Sequence, residues 1–489
     1  MTSAINISTS ILRHFSLVFV TLKSLLIPLV IVTNNYILFN ESSRLSENID
    51  VLIVGAGVAG LWSAVKLQEA GYTVQVIEAS DRLGGRLKEG TLDSQIIDLG
   101  GQWIGKNQEL VYRVIQRYGL KTYKTPTFGI NLVELESKFY DEHDITVEGG
   151  KIASQANELI SYWVKKVSCV KPKDVKLLTQ LSKQSFNSWL TDNVTNDNLR
   201  SYLAFIVRSM LTTSPYKISA LELFNSFQVS TVHEELDTVE GALKDCVHGG
   251  LYQLIKCMVN EINTPTLLNY PVTKVIQTHS HVNVFSGNKQ WQSKRIIVTV
   301  PPSRLSNILF IPSLPEKQSK HVNYMKMGSV IKFFISYKNP FWRKKGYSGH
   351  ISLTSHCIDS VYDVTPPNYN GGMLAIFICA ENVNAFSKKN KEQRIVDITE
   401  ILVQKLGKAA PTWISYKECN WKNEQFIHGG FYCTPTIGAS SEINKELAKP
   451  FDRIYWASTE VAPKNIGFVD GALNSAEDAC KNVIASFTN

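Results

Sequence analysis

Gly55, Gly57 and Gly60 stand at i, i+2 and i+5 between an apolar run ending at Val54 and a run of helical period. At such a junction the first glycine makes the tight turn, the second lets a diphosphate approach the backbone, and the third packs helix against sheet. Free N–H groups and the dipole of the helix N-terminus favour the anion. Glu78 closes the next apolar run, at the spacing of a carboxylate that accepts ribose hydroxyls and repels a 2′-phosphate. These residues predict a dinucleotide-binding unit. In the loop Asp81-Arg82-Leu83-Gly84-Gly85-Arg86, paired glycines between two arginines can bring a second stretch of backbone and cation to the same diphosphate. A basic turn without a ligand is the alternative.

Other residues with chemical potential lie far along the chain. The pair Gly100-Gly101 in QIIDLGGQWIG allows a flat ligand close to the backbone, or else marks a structural hairpin. Lys332 interrupts the β-branched and aromatic run MGSVIKFFISYK. From these residues alone it reads as a lysine on the solvated face of an edge strand; buried, its ammonium would need a partner such as a ring atom or a water. Near the C-terminus come HGGFYC (428–433), Thr459-Glu460, and Gly467 just ahead of a helix over about 469–486. A helix N-terminus aimed at a cofactor stabilises negative charge on it.

The elements that must position these groups alternate in character. Residues 106–119 predict an amphipathic helix with Leu110, Val111, Val114 and Ile115 on one face. Residues 124–245 predict a largely helical insertion, with Tyr162, Trp163, Trp189, Tyr202 and Phe205 as core. Strand patterns return over 247–300 and would complete the sheet of the glycine-rich unit.

With 489 residues, 44% hydrophobic and 19% charged, the chain has the composition of a globular protein of two or three domains' worth of core. A formal charge of +8 without a Lys/Arg block gives no ground for nucleic-acid binding. Eight cysteines are scattered singly, which argues against both a zinc site and a disulfide framework. Residues 14–38 are mostly apolar, with Lys23 and two asparagines the strongest interruptions, and are close to the roughly 20 residues a bilayer requires. A membrane anchor is expected there, with a cleaved targeting sequence or a plain extension as alternatives.

Taken in order, the glycine-rich start, Asp81 to Arg86, Asp98 to Gly101, GSVIKFFISYKNPFWRKKGYSG (328–349), Asn420-Trp421, Gly429-Gly430 and DRIYWASTE through GFVDGA resemble the flavin-dependent amine oxidases, with the monoamine oxidases nearest in pattern. The resemblance covers nearly all of residues 50–489. It implies an α/β, two-domain fold: a Rossmann-like FAD-binding domain (49–122, 246–300 and 425–489) and a mixed-sheet and helical substrate domain (123–245 and 301–424), preceded by the hydrophobic segment 1–48. It also implies that Gly55, Gly57, Gly60, Glu78, Arg82, Gly85, Arg86, Gly101, Trp421, Glu460, Gly467, Phe468 and Val469 serve the FAD. Lys332 would bind a water at the flavin, reversing the edge-strand reading. Tyr432 and Phe468 would flank the substrate amine, their ring faces turned to a cationic nitrogen. His428 is the nearest conceivable base and reads as structural. The implied reaction is oxidative deamination of a primary or secondary amine through an imine to an aldehyde, with oxygen as acceptor and hydrogen peroxide as product. A homodimer is among the assemblies it allows.

Three departures from the family pattern bear on function. The cysteine that carries FAD covalently in monoamine oxidases is Phe431 here, with Cys433 two residues later, so non-covalent FAD is expected. Phe468 replaces a tyrosine of the aromatic pair. Asn465 and Ser458 replace a tryptophan and a glycine expected against the flavin. The family's C-terminal membrane helix has no counterpart before Asn489, which leaves attachment to residues 14–38. A polyamine oxidase would use acidic residues such as Glu234 and Glu235, an amino-acid oxidase an arginine such as Arg208. An FAD-binding homologue without turnover is the reading from a different class.

Overall fold

The computed structural model describes residues 49–488 apart from 170–174, 228–233 and 235–236. The segment 14–38, on which membrane attachment was expected, lies outside them, as does Glu235. No described helix is long and apolar enough to cross a membrane.

Two seven-stranded sheets organise the described chain. In the first, Ile49–Val54 is a central strand, parallel to Val74–Ile77 on one side and to Lys289–Val298 on the other. Its continuous apolar sequence suits a strand covered on both faces, and five of its six residues are buried. The antiparallel strands Lys274–Gln277 and Val282–Ser286 extend this sheet, while Ile454–Trp456 pairs in parallel with Lys289–Val298. Three segments distant in sequence thus build one sheet, and the helices Val58–Glu69 and Val469–Thr488 pack on each other in its core.

The second sheet centres on Val330–Tyr337, which pairs antiparallel with Gly372–Cys379 and with Trp413–Asn420. All eight of its residues are buried, so this is not an edge strand and Lys332 has no solvated face to turn to. Burial, not exposure, is the lysine's environment, and the edge-strand reading is overturned.

Residues 124–245 are not helical throughout. The hairpin Ile130–Leu135 and Lys138–Asp141 joins the second sheet through a parallel pairing with Tyr347–Leu353. The strands are short, and their partner lies two hundred residues away, so local periodicity gave no sign of it. Five helices follow between Glu148 and Ser226, around a core that includes Trp189, Tyr202 and Phe205. Tyr162, expected in that core, is instead 59% exposed.

Candidate active site

A cavity of about 860 Å³ runs between the two sheets from Glu78 to Lys332, Tyr432 and Phe468. Its size is that of a site for a large organic ligand. At one end lie the glycines. Gly55 has φ +110°, and a Cβ there would meet the Thr299 hydroxyl at 2.3 Å. At Gly60 a Cβ would fall 1.9 Å from the Gly55 carbonyl oxygen, so the helix can sit this close to the turn only with glycine. Gly57 differs: the nearest atom to its Cβ position is Gly85 Cα at 3.9 Å, and its missing side chain leaves space in the cavity wall.

The helix Val58–Glu69 begins there without a side-chain cap and without an acidic residue in its first turn. Uncapped N–H groups at a cavity wall suit a diphosphate. Glu78 is held by N–H donors from Ala56 (2.7 Å) and Ser80 (2.9 Å), which fix its carboxylate at the cavity. This end fits the ADP part of FAD. We expect Gly60→Ala to cost roughly 1–3 kcal/mol in a urea melt by overpacking. Gly57→Ala should melt like the parent and yet purify with little flavin absorbance.

The arginines of the loop do different work. Arg82 uses all five of its donors, on Glu424 twice and on the carbonyls of Leu83, Gly85 and Leu87. It therefore shapes the loop that carries Gly84 and Gly85, with no donor left for a phosphate. Arg86 makes a two-pronged pair with Glu460 at 2.6 and 3.1 Å and also donates to the Phe431 carbonyl at 3.2 Å. Glu460 is fully buried and does not line the cavity; it accepts the Cys433 N–H at 2.9 Å, so it serves the site through Arg86 and the 431–433 backbone. Burial raises its carboxyl, but the Arg86 guanidinium and the hydrogen bonds outweigh that and hold it below the usual range.

At the other end Lys332 is 2% exposed. Its ammonium donates to the carbonyls of Asp98 (2.7 Å) and Gly100 (3.1 Å) and to Gln102 Oε1 (2.8 Å). The rings of Trp103, Phe334 and Phe377 lie 4.9–5.3 Å from it. Burial pulls the lysine down to about 8 against the nearby Asp98, whose own carboxyl burial pushes up to about 6. Gly101 and Trp421 also line the cavity, and the Trp421 indole N–H donates to the Leu99 carbonyl at 2.9 Å.

Tyr432, Gly467, Phe468 and Val469 line the same region. A Cβ on Gly467 would approach the Tyr432 ring to 2.8 Å, so this glycine admits the ring. The loop before Tyr432 is pinned by Thr212, whose hydroxyl oxygen accepts the Phe431 N–H at 2.9 Å. His428 is exposed and lies outside the lining. Asn465 also lies outside it: its amide donates to Asp470 at 2.7 Å and to the Asn107 carbonyl at 3.3 Å. The expectation that this residue abuts the flavin is therefore corrected, whereas Ser458 does line the cavity. Arg208 is spent on Asp359 (2.8 Å) and is absent from the lining.

Several lining residues escaped the sequence reading. Gln102 and Trp103 directly follow the glycine pair, where attention to the glycines hid them. Tyr362 and Phe377 come from separate strands and had no local signal. With Trp103 and Phe431 they form a connected set of rings, with centroid separations of 5.3–6.1 Å.

The sequence profile described as flavin containing amine oxidoreductase matches residues 58–484. An L-amino acid dehydrogenase of Synechocystis sp. is 28% identical over 452 residues, 90% of this chain and 95% of that protein. Flavin-containing amine oxidase B of Homo sapiens is 28% identical over 459 residues, 90% and 87% of the two chains. A putrescine oxidase structure with bound putrescine superposes with a TM-score of 0.82 at 27% identity, covering 89% of this chain and 99% of that one. Cyclohexylamine oxidase from Brevibacterium oxydans shares the fold, with a TM-score of 0.84 at 22% identity over 91% of this chain and all of that one.

Proposed function

The chain belongs to the flavin-containing amine oxidoreductases, FAD-dependent enzymes, and from that premise we propose that it oxidises a primary or secondary monoamine with an apolar or aromatic substituent. The product would be an imine that water hydrolyses, with oxygen as final acceptor and hydrogen peroxide released. When bound, FAD supplies the redox step by taking a hydride equivalent from the amine's α-carbon.

The observation that carries this reading is the lining given by the second sheet: Val330, Lys332, Ser360, Tyr362 and Phe377. Lys332 is its one charged side chain among the described residues, and its three donors are turned to protein acceptors. Such a wall favours an apolar substituent and gives a second ammonium no carboxylate. It gives an amino acid's carboxylate no guanidinium either: Arg208 is engaged by Asp359, and the arginines that do line the cavity, Arg82, Arg86 and Arg304, do not belong to this sheet. Tyr432 and Phe468 supply ring faces to the reacting nitrogen, and the start of the helix Val469–Thr488 brings a positive dipole end to the ligand. Of the two substitutions that argue for a homologue without turnover, Asn465 lies off the cavity and Ser458 lines it.

The test is anaerobic bleaching of the flavin by aryl-alkyl monoamines, polyamines and L-amino acids. Faster bleaching by a diamine or an amino acid than by any monoamine would overturn the proposed substrate class. The geometry around Cys433 supports non-covalent FAD. Its thiol is 1% exposed, stands 3.2 Å from the Ser303 hydroxyl, lies outside the cavity lining and is pushed up to about 12 by burial. Such a thiol is a poor nucleophile. Acid precipitation is therefore expected to leave the yellow chromophore in the supernatant; colour in the pellet would contradict this.

A further inference from the structure

A second cavity, of about 260 Å³, stops one side chain short of Lys332, at Gln102. Its mouth is formed by exposed residues, Ser94, Ile96 and Gly249, and its inner wall by buried Asp98, Gln102 and Phe334. Among the described residues, Gln102 alone lines both this cavity and the large one. It is 6% exposed, so a buried amide stands where the two linings meet.

The bonds of that amide are unequal. Its oxygen accepts from the Lys332 ammonium at 2.8 Å, whereas its nitrogen has only the Cys246 sulfur, at 3.8 Å. The other two acceptors of Lys332 are backbone carbonyls, fixed in place by the chain. Of the three, only Gln102 can rotate away, and a water can take its place on the ammonium.

We propose that the second cavity is a water conduit to Lys332, separate from the entrance of the amine, with Gln102 as its gate. The lining suits water: besides Asp98 and Gln102 it includes Tyr123 and His248, enough polar groups for the two to four partners a buried water needs. The two cavities differ in size, about 260 Å³ against about 860 Å³, so the amine with its substituent belongs to the larger one. Oxidation of the amine and hydrolysis of the imine together consume one water and release a proton. Conversion of RCH2NH3+ to RCH=NH2+ gives up a hydride and one proton, and RCH=NH2+ plus H2O gives RCHO plus NH4+. The inference rests on the amine-oxidase reading for its purpose, but the conduit itself can be tested without turnover.

Ile96, 44% exposed at the mouth, allows a reversible plug. In Ile96→Cys a bulky methanethiosulfonate is attached and later removed with dithiothreitol, with the parent enzyme treated identically to control for native cysteines. The probe is acetylation of Lys332 by acetic anhydride in the FAD-loaded enzyme, read by mass spectrometry of its peptide. The plug should lower acetylation severalfold and reductant should restore it, while Gln102→Ala should raise it severalfold. In Gln102→Ala, water at the ammonium should also shift the alkaline limb of flavin reduction upward. Asp98, Cys246 and Cys419, the other titratable groups acting on Lys332, remain in place. Acetylation indifferent to the plug would overturn the conduit, and acetylation unchanged in Gln102→Ala would overturn the gate. A plug that raises KM for the amine would show that the amine uses this route. If Gln102→Ala does not fold, the plug still decides. Loss of turnover with intact plug sensitivity would count against the function alone.

Discussion

Lys332→Met is expected to purify with FAD bound and to lose roughly 10²-fold or more in the rate of flavin reduction or of its reoxidation by oxygen. Methionine keeps an unbranched side chain one atom shorter and removes all three N–H donors. The carbonyls of Asp98 and Gly100 and the Gln102 oxygen are then left without the ammonium they share, and the ring box of Trp103, Phe334 and Phe377 loses its cation. The site as built satisfies the charged lysine, one donor to each acceptor. Burial lowers its proton affinity, with Asp98 opposing, to about 8. The parent rate should therefore fall as pH rises through about 8, and this limb should be missing from Lys332→Met. Stopped-flow reduction and reoxidation across pH measure both effects. Retained rates and an unchanged limb would remove Lys332 from the reaction.

The second large effect concerns the pair formed by Arg86 at the cavity wall and Glu460 behind it. Arg86→Ala is expected to destabilise the protein by about 3–5 kcal/mol, because it strands the Glu460 carboxylate in the interior. Glu460 is 0% exposed, and besides the Arg86 guanidinium it accepts the Cys433 N–H. The double variant Arg86→Ala/Glu460→Gln removes the stranded charge and should recover much of the loss, a coupling that a double-mutant cycle reads directly. The pair also sets an acid limit. Glu460 titrates below its ordinary value when folded, so its stabilisation is present above the unfolded value and is lost as pH falls through the folded one. Urea melts of the parent should weaken over that acidic window, and Glu460→Gln should flatten the slope. An Arg86→Ala variant as stable as the parent, with FAD retained, would show that the pair holds neither fold nor cofactor.

Covalent spacing alone sets the glycine-rich end of the molecule, where chain order and geometry coincide. Gly55, Gly57, Gly60 and Glu78 lie within one strand–helix–strand unit, and the steric need for glycine at two of those positions is a local property of the turn. The order of separate motifs carried the resemblance to the amine oxidases, and the structural comparisons agree with it. Tertiary structure decided everything that depends on which strand lies beside which. Lys332 read as exposed because a single strand shows only alternation; pairing on both sides buried it and turned it to Asp98, Gly100 and Gln102, some 230 residues earlier. Arg82 and Arg86 look alike in the sequence, yet Glu424 and the loop carbonyls consume one, while the other meets buried Glu460. Asn465 was placed at the flavin by register with a family pattern, but its backbone at φ +53° and its bonds to Asp470 and Asn107 take it off the cavity. Chain order fixes which residue types are available. Only packing fixes which donors and charges are already satisfied, and unsatisfied groups at a cavity wall are what a ligand meets.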